Sequence, residues 1–288
     1  MALVGKSGSG KTTLMKCVYG LEDLNEGEVL FENKKVTGPS YNLIPGYHEM
    51  RLVSQDFYVL DNHSVEENIF DKLIGYTTEA KQKRANKLLK LLDLVALRNS
   101  KARFLSSGQK QRVAIARALA IIPKLLLLDE PFSNLDSILS EKLFSFIMSE
   151  IKKNKTSVIL ITHVAEEALK YADVLAVMNN GRILQMGKKW QIYYKPKNIK
   201  LAGLLGPFNT IKAEDLDKKT KSKTKLFIRP DKIKLAAKNK FDLQLQISNC
   251  TFNGKCFEVL GETKNGNPVI VYLNKEVELD KVYFFTVE

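Results

Sequence analysis

The stretch Gly5-Lys6-Ser7-Gly8-Ser9-Gly10-Lys11-Thr12 decides the fold of this 288-residue chain. The apolar residues Ala2–Val4 before it are typical of the end of a strand. The residues after it, from about Thr12 to Tyr19, are predicted to form a helix that Gly20 can terminate. A strand, a glycine-rich turn and a helix in this order begin an α/β domain.

The same stretch, which we call the P-loop, also predicts chemistry. It fits the pattern G-x-x-x-x-G-K-[ST], whose glycines let the backbone curl until successive N–H groups point at phosphate oxygens. The positive end of the helix dipole lies at the same place. Lys11 is positioned to reach the β- and γ-phosphates, and Thr12 to place its hydroxyl on Mg²⁺. The predicted nucleotide-binding residues of this stretch are Gly5, Lys6, Ser7, Gly8, Ser9, Gly10, Lys11, Thr12 and Thr13.

A second stretch, Leu125–Glu130, is an apolar run that ends in two carboxylates. A buried strand has little reason to end in paired acids unless a cation or a proton transfer needs them. Asp129 is therefore predicted to orient Mg²⁺ and its waters, and Glu130 to polarise the attacking water as a general base. Pro131 then ends the strand.

The first two thirds of the chain alternate short apolar runs with helical patterns, which predicts a mostly parallel sheet with a helical subdomain. Ser64 followed three residues later by Glu67 is a capping-box pattern. We predict strands at Arg51–Ser54, Lys124–Asp129, Ser157–Thr162 and Val174–Met178, a hairpin over Glu28–Val36 with its turn at Asn33-Lys34, and helical segments at Ser64–Leu97, Gly108–Ala120, Ser137–Lys153 and Ala165–Tyr171.

From about Pro207 the pattern changes. Asp242–Ile247 alternates with period two, and Asn253-Gly254 and Asn265-Gly266 are hairpin-turn signals. We therefore predict two domains: an α/β domain over residues 1–205, and a small β-rich domain over residues 206–288.

Composition narrows the class of protein further. No apolar run reaches the ~18 residues of a spanning helix, and the N-terminus shows no signal-peptide pattern. The three cysteines, Cys17, Cys250 and Cys256, are expected to be reduced thiols of a cytosolic protein. The net charge of +13 is concentrated in part over 211–240, where eleven Lys/Arg stand against four Asp/Glu. This charge fits either a solvated lysine-rich surface or attraction to anionic lipid beside a membrane partner.

Four further motifs complete a recognisable order. Leu105-Ser106-Ser107-Gly108-Gln109 stands at a helix start, Gln55 lies in Val53–Asp56, Ser133–Asp136 follows the acidic pair, and Thr162-His163 closes a strand. Together with the P-loop and Leu125–Glu130, their order and spacing resemble the ABC ATPase family over Met1 to about Leu205.

The resemblance implies that two such domains close head to tail with ATP and Mg²⁺ between them. The Leu105–Gln109 segment, the signature, would meet the ATP bound by the partner's P-loop, again at a helix N-terminus. By this resemblance, His163 would contact the γ-phosphate and Asp136 would link the two sites. Gln55 would contact the metal or the attacking water, and would also relay closure to the membrane subunits. The implied catalytic residues are Glu130, His163 and Gln55, and the implied metal ligands are Thr12, Gln55 and Asp129. The implied nucleotide contacts outside the P-loop are Ser106, Ser107, Gly108, Gln109 and Asp136.

His48 and His63 match no motif and are predicted to be ordinary loop residues.

The C-terminal third carries a second resemblance. Phe227–Ile233 is similar to the R-P-E-x-I segment of the small oligonucleotide-fold (TOBE-like) appendage on many importer ATPases, and Leu205–Asn209 to the entry into it. That group serves sugars, polyamines, ferric iron or oxyanions. The implied protein is the ATP-hydrolysing subunit of an ABC transporter, peripheral on the cytoplasmic face of the membrane. Its implied partners are a second ATPase copy, permease subunits and an extracytoplasmic substrate-binding protein, with no nucleic acid. No residue indicates the transported solute.

Alternatives remain open at this point. A soluble ABC ATPase acting on nucleic acid would suit the positive charge, but the chain has one ATPase domain and no heptad run between P-loop and signature. A non-catalytic regulatory or assembly subunit is disfavoured by the joint presence of Lys11, Asp129, Glu130 and His163. Export instead of import is also open, and the β-rich domain could serve only to stabilise a dimer.

The sequence departs from the family in two places. Ser107 stands where the family usually has glycine, and we expect activity to survive because serine is small and its hydroxyl can donate. The P-loop begins at Gly5, whereas family members carry further strands before it, including an aromatic residue that stacks on adenine. A truncated chain or a misplaced start would explain this.

We expect this chain to bind nucleotides weakly and with little discrimination between bases. The missing stacking and the missing strand burial each remove on the order of 1 kcal/mol or more of binding or folding free energy. Dissociation constants for ATP and GTP, measured side by side by titration calorimetry, test this. Tight binding of ATP with a clear preference over GTP would contradict it.

Overall fold

A computed structural model describes residues 1–44, 46–47, 49–133, 135–216 and 226–288. Pro45, His48, Asn134 and the lysine-rich stretch 217–225 lie outside the described residues. The chain divides into two compact units, Met1–Lys189 and Trp190–Glu288. This division lies before the predicted domain boundary at residue 205, because the helical segment that follows Lys189 is hydrogen-bonded to the second unit.

The first unit contains the strands and helices that surround the P-loop. Its strands are β1 (Ala2–Val4), β2 (Val29–Phe31), β3 (Lys34–Val36), β4 (Met50–Val53), β5 (Leu125–Asp129), β6 (Ser157–Thr162), β7 (Val174–Asn179) and β8 (Arg182–Lys188). Its helices are α1 (Lys11–Tyr19), α2 (Val65–Phe70), α3 (Thr78–Leu91), α4 (Ser107–Ala120), α5 (Ser137–Asn154) and α6 (Ala165–Tyr171). The helix α7 (Lys189–Tyr194) crosses into the second unit.

The sheet of the first unit is mostly parallel, as predicted. Within the described residues it has six strands in the order β4-β5-β6-β1-β7-β8, and only β8 runs antiparallel to its neighbour. All five residues of β5 are buried, which fits a continuous apolar run covered on both faces. The edge strand β8 has no apolar alternation and was not predicted from the sequence.

Helix α1 packs on this sheet through Met15, which joins a buried cluster with Leu3, Leu127 and Ile161. The helix ends where predicted, at Gly20, whose φ of 83° is the left-handed conformation that glycine adopts without strain. The Gly20 N–H donates to Cys17 O and satisfies one of the last helix carbonyls.

Two predicted elements differ in detail from the structure. The hairpin turn lies at Glu32 and Asn33, both with positive φ (48° and 63°), rather than at Asn33-Lys34. The long helical segment is broken after α2, and α3 begins only at Thr78 because Gly75, with φ 89°, turns the chain. The capping box at the start of α2 is confirmed by its two reciprocal hydrogen bonds.

The second unit is β-rich, as predicted. Its elements after α7 are α8 (Ile199–Leu204), β9 (Asn209–Ile211), β10 (Leu226–Ile228), β11 (Ile233–Leu235), β12 (Leu243–Phe252), β13 (Phe257–Glu262), β14 (Pro268–Leu273) and β15 (Val282–Val287). Five of these strands, within the described part of the unit, form an antiparallel sheet in the order β11-β15-β12-β13-β14.

Both hairpin turns of this sheet are confirmed, at Gly254 between β12 and β13 and at Gly266 between β13 and β14. The second turn is closed by a buried carboxylate. Asp215 accepts hydrogen bonds from the side chains of Thr263, Asn265 and Asn267 at 2.8, 2.8 and 2.9 Å. Three neutral donors compensate the burial of this acid.

Arg229, from the segment that resembles the importer appendage, holds the second unit together. It is 1% exposed, and its guanidinium donates to Tyr193 O, Ala202 O, Gly206 O and Pro207 O at 2.8–3.1 Å. The ring of Tyr193 lies 4.1 Å from the guanidinium carbon, a cation–π contact. One buried side chain therefore fixes the ends of α7 and α8 to β10, which is why both helices belong to this unit.

We expect Arg229→Ala to lower the free energy of unfolding by about 2–5 kcal/mol, because buried carbonyls lose their donors. Arg229→Lys should recover little, since an ammonium cannot reproduce the planar fork of the guanidinium. Thermal unfolding followed by circular dichroism measures both effects. The control is Lys232→Ala, which removes a cation paired with Glu288 at 3.3 Å on the surface and should cost less than about 1 kcal/mol. Equal melting temperatures for the Arg229 and Lys232 variants would refute this role.

Candidate functional site

The strand register brings the predicted motifs to one edge of the sheet. Val4, the last residue of β1, is level with Thr162 of β6, and Asp129 of β5 is level with Ile161. Val53 of β4 is level with Leu128. Because these strands are parallel, the P-loop, Gln55, Glu130 and His163 all leave the sheet at its carboxyl edge, the usual position of ligands in such folds.

The P-loop backbone has the predicted curl. Gly8 and Gly10 have φ of 74° and 94°, which side chains other than glycine rarely adopt. A Cβ at Gly5 would lie 2.2 Å from Met178 O, so the loop passes too close to β7 for any other residue. The Gly181 N–H donates to Ser9 O at 3.0 Å, and the turn between β7 and β8 thereby supports the loop from outside. That support was not predicted, because β8 itself was missed.

Lys11 lies inside the curl of the loop. Its ammonium donates to Gly5 O at 2.9 Å and to Lys6 O at 3.0 Å, and the side chain is 6% exposed. Burial lowers the pKa of Lys11, while the nearby carboxylates of Glu130 and Asp129 raise it in part. An ammonium has three donors, so one proton remains to bind an anion in the loop. The N-terminus of α1 behind it has no side-chain cap, which leaves its first N–H groups to an anion as well.

Two buried oxygens beside Lys11 lack hydrogen-bond partners. They are Ser9 Oγ and Asp129 Oδ1, for which no partner occurs among the described residues. Asp129 is 2% exposed, and burial raises its pKa, whereas a hydrogen bond from the Thr12 hydroxyl lowers it. Buried unpaired oxygens are costly and mark places where a ligand or ion is expected. A carboxylate and a hydroxyl in contact are suitable oxygen ligands for Mg²⁺.

Glu130 has an unusual backbone that aims its carboxylate away from the strand. Its φ is 48°, a strained value for a residue with a Cβ. Its carboxylate Oε1 lies 2.9 Å from Nδ1 of His163, whose side chain is 52% exposed, against 17% for that of Glu130. The structure thus brings together an acid and an imidazole from neighbouring strands, next to the P-loop.

The signature and Asp136 lie together at a second location, apart from the P-loop. Ser106 caps α4, accepting from Gln109 N at 3.3 Å, while Gln109 Oε1 accepts from Ser106 N at 2.9 Å. Ser106 and Ser107 are exposed at this helix end. Asp136 accepts from Leu139 N at 2.8 Å and caps α5. A cleft of about 630 Å³ is lined by Ser106, Gly108, Gln109 and Asp136 among its residues, and no P-loop residue lines it.

Gln55 is exposed in the turn after β4. Directly beside it, a cavity of about 520 Å³ is lined by Ser54, Tyr58, Ile44, Tyr47 and Lys72 among other residues. The predicted loop residue His63 is exposed and lies before α2, where its carbonyl accepts from Ala102 N.

One residue of the site was missed from the sequence. Gln111 is fully buried in α4, and its amide Nε2 donates to Pro131 O at 2.9 Å and Glu130 O at 3.4 Å. A glutamine in a mostly apolar helix face was the available signal, because a buried amide needs polar partners.

Comparison with known proteins agrees with this arrangement. The family described as ABC transporter matches residues 1–133. The spermidine/putrescine import ATP-binding protein PotA of Clostridium novyi (strain NT) is 35% identical over 280 residues, covering 90% of this chain and 79% of that protein. The sulfate/thiosulfate import ATP-binding protein CysA of Neisseria meningitidis serogroup A is 39% identical over 216 residues, covering 72% of this chain and 58% of that protein.

Among solved structures, the dimeric post-hydrolysis state of the ATP-binding cassette MJ0796 bound to ADP and Pi superposes with a TM-score of 0.58. It is 29% identical and covers 65% of this chain and 84% of that chain. With motif order, sheet topology and similarity along the whole chain in agreement, this chain belongs to the ATP-binding, ATP-hydrolysing subunits of ABC transporters.

Proposed function

We propose that two copies of this chain close around ATP and Mg²⁺ and hydrolyse ATP with Glu130 as general base, driving solute import through separate permease subunits. The observation that carries the proposal is the pair formed by Glu130 and His163, 2.9 Å apart at the sheet edge where the P-loop also ends. An acid held beside an imidazole and a phosphate-binding loop suits attack of water on a terminal phosphate.

The unpaired buried oxygens support the proposed metal and phosphate contacts. Asp129 Oδ1 and the Thr12 hydroxyl would hold Mg²⁺, with Gln55 as a further ligand, and the ion would neutralise charge on the β- and γ-phosphate oxygens. Burial raises the pKa of Asp129, and a cation beside it would favour the ionised form. Ser9 Oγ, buried without a partner among the described residues, would donate to a phosphate oxygen.

The exposed end of α4 supports a role for the partner copy. The capping box of Ser106 and Gln109 fixes the first turn of α4, and the backbone N–H groups of Ser107 and Gly108 stand at its positive end. We assign these residues to the γ-phosphate bound by the other copy, with Asp136 lining the same cleft as the link between sites. The related cassette MJ0796 is described as dimeric.

The surface near Gln55 is proposed as the permease contact, on the cytoplasmic face of the membrane. Its cavity of about 520 Å³ lies beside exposed apolar side chains: Leu43 is 102% exposed, Ile44 82% and Tyr58 72%. Ile44 and Tyr58 line this cavity together with Ser54, the residue before Gln55, and exposed apolar side chains grouped in this way mark a protein-contact surface. No helix among the described residues is both long and apolar enough to cross a bilayer.

We propose that the imported solute is a polyamine and that an extracytoplasmic binding protein delivers it. The relatives matching 90–98% of this chain are spermidine/putrescine import proteins, whereas the ferric-iron and sulfate import proteins match 72–76%. The longer matches extend through the β-rich unit, which favours the polyamine group.

Glu130→Gln is expected to abolish ATP hydrolysis while leaving ATP binding, since the amide keeps the shape of the side chain but cannot accept the proton of water. Adding ATP should then convert the variant from monomer to dimer, measured as mass by light scattering. His163→Ala serves as a comparison, and should slow hydrolysis by about 10²–10⁴-fold.

Hydrolysis by Glu130→Gln at the wild-type rate would overturn the proposed base. A variant that stays monomeric when ATP is added would contradict the proposed closure of two copies around ATP.

We expect labelled spermidine to accumulate in proteoliposomes that contain this chain, its permease subunits and a binding protein, in an ATP-dependent manner. Sulfate and ferric iron serve as competitors and should not reduce uptake. Ile44→Asp should uncouple uptake from hydrolysis without lowering the basal ATPase rate, because Ile44 lies at the proposed permease contact and not in the nucleotide site. Uptake of sulfate or iron in place of spermidine would contradict the proposed solute.

A further inference from the structure

We infer that Gln111 is a positioning residue for hydrolysis, which ties the signature helix α4 to the backbone of Glu130 within the same subunit. The inference rests on the proposed function, in which Glu130 is the general base. It concerns a residue outside every motif that the sequence analysis identified.

The first argument is the backbone of Glu130. Its φ of 48° is strained for any residue with a side chain, so the surroundings must hold it there. Its N–H donates to Ile161 O at 3.0 Å. Its carbonyl accepts from Ser133 N at 3.3 Å, Ser133 Oγ at 3.1 Å and Gln111 Nε2 at 3.4 Å. Strand, turn and helix α4 therefore all hold the backbone of this one residue.

The second argument is that stability does not explain an amide at this position. Gln111 is fully buried, and its Oε1 has no partner among the described residues. A buried unpaired oxygen is unfavourable, and an apolar residue of similar length would remove it. The amide nitrogen, by contrast, reaches Pro131 O at 2.9 Å, directly after the proposed base. The side chain is thus arranged for its contact with the acidic turn.

The third argument is the position of Gln111 in its helix. It lies four residues after Ser107, the first residue of α4, and so on the same face one turn along. In the proposed dimer that helix end meets the γ-phosphate bound by the partner copy. A small movement of α4 on closure would be transmitted directly to Pro131 and Glu130. One rigid helix then sets both the contact with the partner's ATP and the aim of this subunit's base.

Gln111→Met is the primary test, because methionine has similar length but no donor. We expect kcat to fall about 10- to 100-fold, the cost of slight misplacement of a reacting group. KM for ATP should change less than about twofold, since no contact to nucleotide is lost. The melting temperature should stay near that of the wild type, because two effects oppose each other. Removing the unpaired amide oxygen stabilises the fold, and the loss of the donor to Pro131 O destabilises it. On the Glu130→Gln background, ATP should still trap the dimer.

The matched control is Val113→Ala, a truncation in the same helix at an equally buried position. It should lower the melting temperature while leaving kcat of the folded protein within about twofold. If Gln111→Met lowers kcat no more than this control, or only in proportion to lost folded protein, the inference is overturned.

A second variant covers a failure of Gln111→Met to fold. Gln111→Glu has the same shape, and its neutral carboxyl can donate to Pro131 O, whereas the ionised form would repel both carbonyls. Burial raises the pKa of such a carboxyl, so the kcat of this variant relative to the wild type should rise by about tenfold as pH falls from 9 to 6. If kcat relative to the wild type is low and does not change with pH over this range, the inference is overturned.

These outcomes are distinguishable from failure of the proposed function. If Glu130→Gln itself retains hydrolysis, Glu130 is not the base and both proposals fall. If Glu130→Gln is inactive while Gln111→Met keeps wild-type kcat, only the positioning role is overturned.

Discussion

The alignment of parallel strand ends is the constraint on which the nucleotide site depends. β1, β4, β5 and β6 end within two residues of one another, and each is followed by a motif residue. The alignment is fixed by burial on both faces of the sheet, most completely in β5, where a slip of one residue would carry Asp129 away from Thr12. The chemistry of the edge is therefore a consequence of the packing of the core.

Burial then gives this edge its electrostatic character. Lys11 and Asp129 are both nearly inaccessible, and burial shifts the pKa of each towards its neutral form. Their mutual attraction opposes those shifts only in part. A triphosphate would add negative charge beside the lysine, and a divalent cation would add positive charge beside the carboxylate. Both ligands compensate charges that folding has already removed from water, which is a physical reason for them to bind together.

The motifs that the fold brings to one sheet edge were visible in the sequence alone, since their signals are local. The P-loop requires glycine at positive φ, and the acidic pair differs sharply from the apolar strand before it. Both features therefore stand out in a single sequence. The hairpin turn was misplaced by one residue because Glu32 and Asn33 share the left-handed conformation, which the sequence did not indicate for Glu32. β8 was missed since an edge strand needs no apolar alternation.

The roles of Arg229 and Gln111 could not be predicted, because they depend on contacts distant in sequence. The Arg229 segment was identified by resemblance to an importer appendage, yet its guanidinium donates to four carbonyls of the same unit. The presence of arginine at this position is therefore explained by the folding of the unit. Gln111 shows the reverse: nothing in the motif order marks it, and only the three-dimensional structure places its amide on Pro131.

These two residues show how a buried polar group can be interpreted. In Arg229 every described hydrogen bond matches a donor with a carbonyl, as expected where a polar side chain serves stability. In Gln111 the amide nitrogen is paired, and the amide oxygen has no partner among the described residues. A fold that retains this unfavourable oxygen, beside a strained backbone at Glu130, gives up stability at the position where the proposed reaction needs geometry. That imbalance distinguishes a residue that aims a reacting group from one that only supports the fold.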